Sequence, residues 1–246
     1  MNGIDLYFDK INEILKKVLE NQKENIEQCA IHFADAIEKK KKIFVFGCSH
    51  GAIIAEEMFY RAGGLAVINP IFNPALMLNV KPITLTSAFE RMEGQSAALL
   101  DASRAAKGDC ILIHSVSGRN TGIIEMAVRA REKEMTVIGL TNIAYSAASK
   151  SRDKSGKLLF QLCDICIDNH GDFADASIEL TGLSEKIGPT STVIGTTIVN
   201  SIIVRTAEIL LQRGIDPPVL RSANTDDGEA LNKKTFEEYS DCILYL

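Results

Sequence analysis

Five short runs dominated by contiguous apolar residues mark this chain: IFVFG at 43–47, LAVINP at 65–70, DCILIHS at 109–115, TVIGLTN at 136–142 and DICIDN at 164–169. A strand with one wet face alternates apolar and polar residues. A strand buried on both faces reads as a continuous apolar run. Between these runs the apolar spacing changes to the helical period, as in AIIAEEMFYRAGG at 52–64 and TGIIEMAVRAREKE at 121–134. Alternation of such strands with helices predicts a three-layer α/β fold, with a doubly wound five-stranded parallel sheet and helices on both faces. Ligands of such folds bind beyond the C-terminal strand ends, near the point where strand order reverses.

Other segments complete the outline. Apolar spacing at Leu6, Ile11, Ile14, Leu15 and Val18, then Ile26, Ala30, Phe33 and Ile37, predicts an N-terminal helix over 5–38. An irregular stretch runs to about 86, a helix is expected over 88–106, and an interrupted helical stretch over 144–162. A long helix spans 190–214, ending at Gly214, and Asn200, Arg205 and Glu208 within it mark it as a buried helix of a globule. The expected layout is an N-terminal oligomerisation helix (1–42), a ligand-binding domain (43–213) and a polar tail (214–246), forming one structural unit. A 46% hydrophobic content supplies a full core. The net charge of −5 argues against nucleic acid or an anionic membrane as partner, while leaving room for a small anionic ligand at a local site. The N-terminal segment alternates charged with apolar residues and shows no apolar leader, which points to the cytoplasm. The six cysteines are expected to be free thiols there. CDIC at 163–166 has metal or redox spacing, but read as a strand it puts its two sulfurs on opposite faces.

The loop HSVSGRNT at 114–121 lies between a buried strand and a helix. Helix N-termini present free N–H groups and partial positive charge. Gly118 allows close backbone approach, and Ser115, Ser117 and Thr121 supply hydroxyls at a spacing that can ring one phosphate. The same residues also make a serine-rich turn with an N-cap at Asn120 or Thr121. FGCSHG at 46–51 repeats the layout after the first strand, so that two loops of one chemistry would face one crevice if their strands are neighbours.

SVSGRNTGIIEMA resembles the phosphate loop of the sugar isomerase (SIS) domain family, and FGCSHGAIIAEEMFYRAGG resembles that family's first strand, loop and helix. ERMEG and KIGPTSTVIG are similar to a branch described as phosphosugar isomerases. The resemblance runs from about 43 to 213. It implies the flavodoxin-like strand order 2-1-3-4-5, a sugar-phosphate ligand, no cofactor, and a homodimer or homotetramer. It also implies phosphate contacts from Ser49, Ser115, Ser117, Gly118, Asn120 and Thr121.

Isomerisation moves a proton between neighbouring carbons, which needs a base beside the sugar. By its match to phosphoheptose isomerase, Glu57 of AEE is a catalytic candidate. Glu90 and Glu93, three apart, would share a helix face, where Ser87 and Glu90 form a capping box. Glu93, free of that duty, is similar to an acid of N-acetylmuramic acid 6-phosphate etherase, and is the second catalytic candidate. His50, in the first loop, is the third. Glu90, Arg119, His170, Thr190 and Ser191 are possible substrate contacts, and His114 reads as a core histidine. The long last helix lacks the histidine that phosphoheptose isomerase keeps there. Zinc-site spacings such as HExxH are absent, so no metal is expected. Arg221, Asn224 and Asn232 in the tail would cover a site, in this or a neighbouring subunit. Three functions fit: an aldose–ketose isomerase, a lyase resembling the etherase, or a non-catalytic phosphosugar sensor. Residues 1–38, with eight acids against four lysines, are too short and too acidic for a DNA-binding module.

Overall fold

Parity along the strands sorts the core. The computed structural model describes residues 2–222 and 224–246. Five parallel strands, β1 (Ile43–Gly47), β2 (Ile68–Pro70), β3 (Cys110–His114), β4 (Thr136–Thr141) and β5 (Ile165–Asp168), form one sheet in the order β2-β1-β3-β4-β5. The helices are α1 (Gly3–Glu38), α2 (Ala52–Met58), α3 (Leu85–Phe89), α4 (Gln95–Ala102), α5 (Thr121–Glu132), α6 (Ile143–Ala147), α7 (Ser191–Gln212) and α8 (Gly228–Glu238). Ile43, Val45, Cys110, Leu112, Ile138 and Leu140 pack against α1, α2 and α7 through Phe33, Ile54, Ile198 and Ile202. Phe44, Phe46, Ile111, Ile113 and Val137 pack against α4 and α5 through Leu100, Ile123, Ile124 and Met126. Each such side chain, buried, contributes about 1.5–3 kcal/mol. Both faces are therefore apolar because both are covered, which is what the uninterrupted runs predict.

α1 begins in a capping box: the Asn2 side chain accepts from the Ile4 and Asp5 amides, and Asp5 accepts from the Asn2 amide. Its buried stripe, including Ile14, Val18, Ala30 and Phe33, lies on α7 and the sheet of its own subunit. Gln22 of α1 also accepts from the Asp168 amide at 3.1 Å, fastening the helix to the end of β5. α7 is long and apolar enough to cross a membrane by length and composition, and half of its apolar window is buried inside the fold.

Five local expectations are corrected. The helix expected over 88–106 is two helices, α3 and α4, separated by a turn at Gly94. That glycine takes φ 81 and donates its N–H to Glu125 Oε1 at 2.7 Å. Ser87 consequently lies inside α3, whose N-cap is Thr84, and Glu90 is its C-cap, so no capping box joins Ser87 to Glu90. Glu90 and Glu93 flank a turn and share no helix face. The interrupted helix of 144–162 reduces to α6 and a single turn at Leu159–Gln161. CDIC is not strand throughout: Cys163 precedes β5, and its Sγ fills the space above Gly139, whose cross-strand neighbour is Cys166. Both sulfurs thus share one face of the sheet.

Two elements were not anticipated. β6 (Ala176–Ile178) and β7 (Ile187–Pro189) form a small antiparallel pair before α7. The tail contains α8 and then returns to the sheet edge. There the Asn69 amide donates to the Cys242 carbonyl and accepts from the Leu244 amide, both at 2.8 Å. The Tyr245 hydroxyl donates to the Ala66 carbonyl at 2.7 Å. Of the tail residues singled out, Arg221 and Asn232 pair with each other, the Asn232 side chain accepting from the Arg221 amide at 2.8 Å and donating to its carbonyl at 2.9 Å.

Candidate functional site

Strand order reverses between β1 and β3, and the loops leaving these strands touch. A Cβ on Gly51 would lie 2.8 Å from the His114 carbonyl oxygen, so only glycine fits where the first loop crosses the end of β3. Gly118 is confined in a second way. It has φ +57, and a Cβ there would sit 2.9 Å from Ser146 Oγ and 3.2 Å from Thr141 Oγ1.

The loop from Ser115 to Thr121 leaves part of its backbone donors unpartnered among the described residues, although Ser115 N–H donates to the Leu140 carbonyl at 3.1 Å. Gly118 N–H donates to Ser115 Oγ at 3.2 Å. The N–H groups of Ser117, Arg119, Asn120 and Thr121 have no acceptor among the described residues. Asn120 is the N-cap of α5, but its side chain does not cap. Instead it accepts from Arg152 Nη1 at 2.7 Å. The Thr121 hydroxyl is buried and donates to the Arg152 carbonyl at 3.2 Å, which leaves it only as an acceptor toward a ligand. Ser115 keeps its own hydroxyl proton, and Ser117 and Ser49 have no side-chain bond among the described residues.

Positive charge gathers on this loop. Arg152 donates its amide to the Arg119 carbonyl at 2.9 Å. Burial, with Arg91 and Arg119 nearby, lowers the Arg152 pKa from its usual value. Into this cluster reaches Glu90. Burial pushes its carboxyl above the usual carboxylate range, while Asn120, Arg91 and Arg152 act in the opposite direction. Its backbone carbonyl accepts from the Gly122 amide at 2.9 Å, holding the end of α3 against the start of α5. The Cys48 thiol, in the loop after β1, is pushed up by its burial and by the Glu90 charge, which places Glu90 between the two loops.

The other candidates are dispersed. Glu57 accepts from Arg61 and, at 2.8 Å, from the Asn200 amide, in a groove along α7 lined also by Thr196, Ser201, Val204 and Arg205. None of that groove's lining belongs to the loop after β3. Glu93 is exposed and pairs with Lys154 at 2.9 Å. His50 is exposed on the first loop. His170 lies against α1, its Nε2 3.2 Å from the Gln22 side-chain nitrogen. Thr190 and Ser191 are buried at the start of α7, where the Asp175 carboxylate accepts both amides, at 3.1 and 2.8 Å, and the Ser191 hydroxyl. His114 is fully buried, with Nδ1 3.4 Å from the Gly51 carbonyl, and burial brings its pKa down to about 4. Among the described residues no group of three or more His, Cys, Asp or Glu side chains is placed to hold a metal ion.

Sequence reasoning missed Arg91 and Arg152. Arg91 carried a signal, adjacency to Glu90. Arg152 carried none, because it stands 31 positions beyond Thr121 and arrives only through the α6 connection.

A profile of the SIS domain matches residues 6–142. A UPF0309 protein from Shouchella clausii is 46% identical over 246 residues, covering 100% of both chains. Another from Oceanobacillus iheyensis is 46% identical over 240 residues, covering 98% of each. A phosphoheptose isomerase structure from Francisella tularensis shares the fold, with a TM-score of 0.55 at 18% identity, covering 85% of this chain and 100% of that one. The chain belongs to the SIS domain family and, within it, to the UPF0309 proteins.

Proposed function

We propose that the protein binds a sugar phosphate at the ends of β1 and β3 and catalyses its aldose–ketose isomerisation, with Glu90 as the base. The observation that carries this reading is the loop at 115–121, whose unpartnered amides lie beside Arg91, Arg119 and Arg152. Unpartnered amides at a helix start and nearby guanidinium groups are the usual recognition of a phosphate dianion. Ser115, Ser117 and Ser49 add hydroxyl donors. Glu90 stands next to this anion seat, in surroundings that raise its proton affinity. A carboxylate so tuned takes the proton from the carbon beside the sugar carbonyl and returns it to the neighbouring carbon. Arg91 and Arg152 offset the charge that develops on the enediolate oxygen. His50, on the first loop, contacts the sugar during ring opening. The fold shared with a phosphoheptose isomerase accords with this chemistry.

The test is incubation of the protein with a panel of hexose and heptose phosphates in deuterium oxide, followed by NMR. Deuterium at C2 together with the ketose supports the proposal. Absence of exchange with every sugar phosphate sinks it. Exchange with loss of a C3 substituent replaces isomerisation with elimination, which begins with the same proton. The assembly is proposed to be a homodimer or homotetramer, because Val204 and Leu211 on α7, and Phe8 and Leu19 on α1, remain exposed. Sedimentation at a monomer mass overturns that part.

A further inference from the structure

Six cysteines are present, and four are sealed: Cys29, Cys48, Cys110 and Cys242 are at most 7% exposed. Cys163 and Cys166 are the two that solvent reaches. They are also neighbours. The Cys163 Sγ occupies the position that a Cβ of Gly139 would need, and Cys166 lies directly across from Gly139 on the adjacent strand. Residue 139 has no side chain to separate the two sulfurs. The Cys163 thiol donates to the Leu159 carbonyl at 3.1 Å. Leu159 in turn donates its amide to the Gly118 carbonyl at 2.9 Å, and its Cβ would be 3.1 Å from a Cβ on Gly118. One residue therefore separates the thiol pair from the anion-binding loop.

We propose that Cys163 and Cys166 form a dithiol site that a peroxide oxidises to a disulfide, and that closing this disulfide loosens the 115–121 loop through Leu159. Cys166 is the attacking thiol. The neighbouring Cys163 sulfur draws its pKa below the usual thiol range, while the Cys166 sulfur beside it pushes Cys163 up. The Cys166 thiolate attacks one peroxide oxygen, the O–O bond breaks, and the departing hydroxide leaves as water with the thiol proton. Cys166 is then a sulfenic acid. The Cys163 sulfur attacks the Cys166 sulfur, the S–O bond breaks, and hydroxide leaves as water with the Cys163 proton. Two thiols and one hydrogen peroxide become one disulfide and two waters, a two-electron oxidation that an exogenous thiol reverses by exchange. The Cys163 S–H is consumed, so the Leu159 carbonyl loses its donor, and Cys163 is pulled toward Cys166 and away from Leu159.

The experiment treats the full chain with hydrogen peroxide, denatures it, alkylates it with N-ethylmaleimide and digests it with trypsin. The peptide 158–186 holds both cysteines. The expected result is that this peptide carries no maleimide and is two hydrogens lighter, while the other four cysteines are labelled. Maleimide on both Cys163 and Cys166, or a sulfinic acid on one of them, overturns the site. Cys166→Ser is expected to leave Cys163 alkylated and to form no disulfide. Hydrogen exchange on the oxidised and reduced protein reads the coupling: the amides of Gly118, Asn142, Arg152 and Leu159, which are bonded within or onto the loop, exchange faster when oxidised. A disulfide with unchanged exchange there overturns the link to the loop. Neither readout needs a sugar phosphate, so failure here is separate from failure of the isomerase proposal.

Discussion

Glu57, on the helix that follows β1, and Glu90, at the C-terminal end of α3, are both carboxylates, yet their surroundings differ in kind. Glu57 is neutralised: Arg61 and the Asn200 amide both donate to it, in an open groove along α7. Glu90 is half-buried, and the resulting desolvation outweighs the cations near it. Two donors fix the Glu57 carboxylate within that groove, away from the loop after β3. A desolvated carboxylate holds its proton more tightly, which suits it to proton transfer. That contrast supports the proposal of Glu90 as the base over Glu57, the residue matched to a catalytic position.

Substitution tests that contrast most directly. Glu90→Gln is expected to lower the rate of C2 exchange by roughly 100- to 10,000-fold, measured by NMR in deuterium oxide. The same change should raise the melting temperature at pH 7. The folded-state pKa of Glu90 is raised, so folding disfavours its ionised form, and the penalty appears as pH rises from the usual carboxylate value through the raised one. Below the usual carboxylate range the two proteins should melt alike. Glu57→Gln is expected to leave exchange within about one order of magnitude and to cost about 0–1 kcal/mol, as for a partly exposed ion pair. If Glu57→Gln abolishes exchange and Glu90→Gln does not, the comparison is reversed.

Smaller effects sharpen it. Gly118→Val forces a β-branched residue to φ +57 against Ser146. It should cost about 1–3 kcal/mol in urea denaturation and weaken inorganic phosphate binding by calorimetry. His114 is buried neutral, with a folded pKa of about 4 against an ordinary value of 6.5. The unfolded chain therefore binds a proton that the folded chain refuses, and stability is lost as pH falls from 6.5 toward about 4. A His114→Gln variant should lack that component of the pH–stability curve. Glu93→Gln, at the exposed Lys154 pair, should change stability by less than about 0.5 kcal/mol and leave exchange unaffected.

The sheet was legible because burial on both faces leaves an unmistakable mark on strands such as CILIH and IFVFG. The loop at 115–121 was legible as a glycine- and hydroxyl-rich strand-to-helix junction, a pattern that fits a phosphate seat or a serine-rich turn with an N-cap. Glu90 was harder. Its environment depends on the break at Gly94, and the pattern SAFERMEG reads smoothly as helix until the left-handed glycine is seen. The sulfur pair was obscured by a strand boundary: moving the start of β5 past Cys163 turns opposite faces into one face. Arg152 and Asp175 were invisible, since each reaches its place through a long connection rather than a local period.

Asp175 has a consequence for the ligand. The long helix α7 points its positive end at the mouth of the sheet, but the chain has already installed its own counter-ion there. A second external anion would have to displace a covalently tethered carboxylate. Under the proposed function the mouth offers one anionic berth rather than two, and it suits a molecule charged at a single end, with its other end free for chemistry.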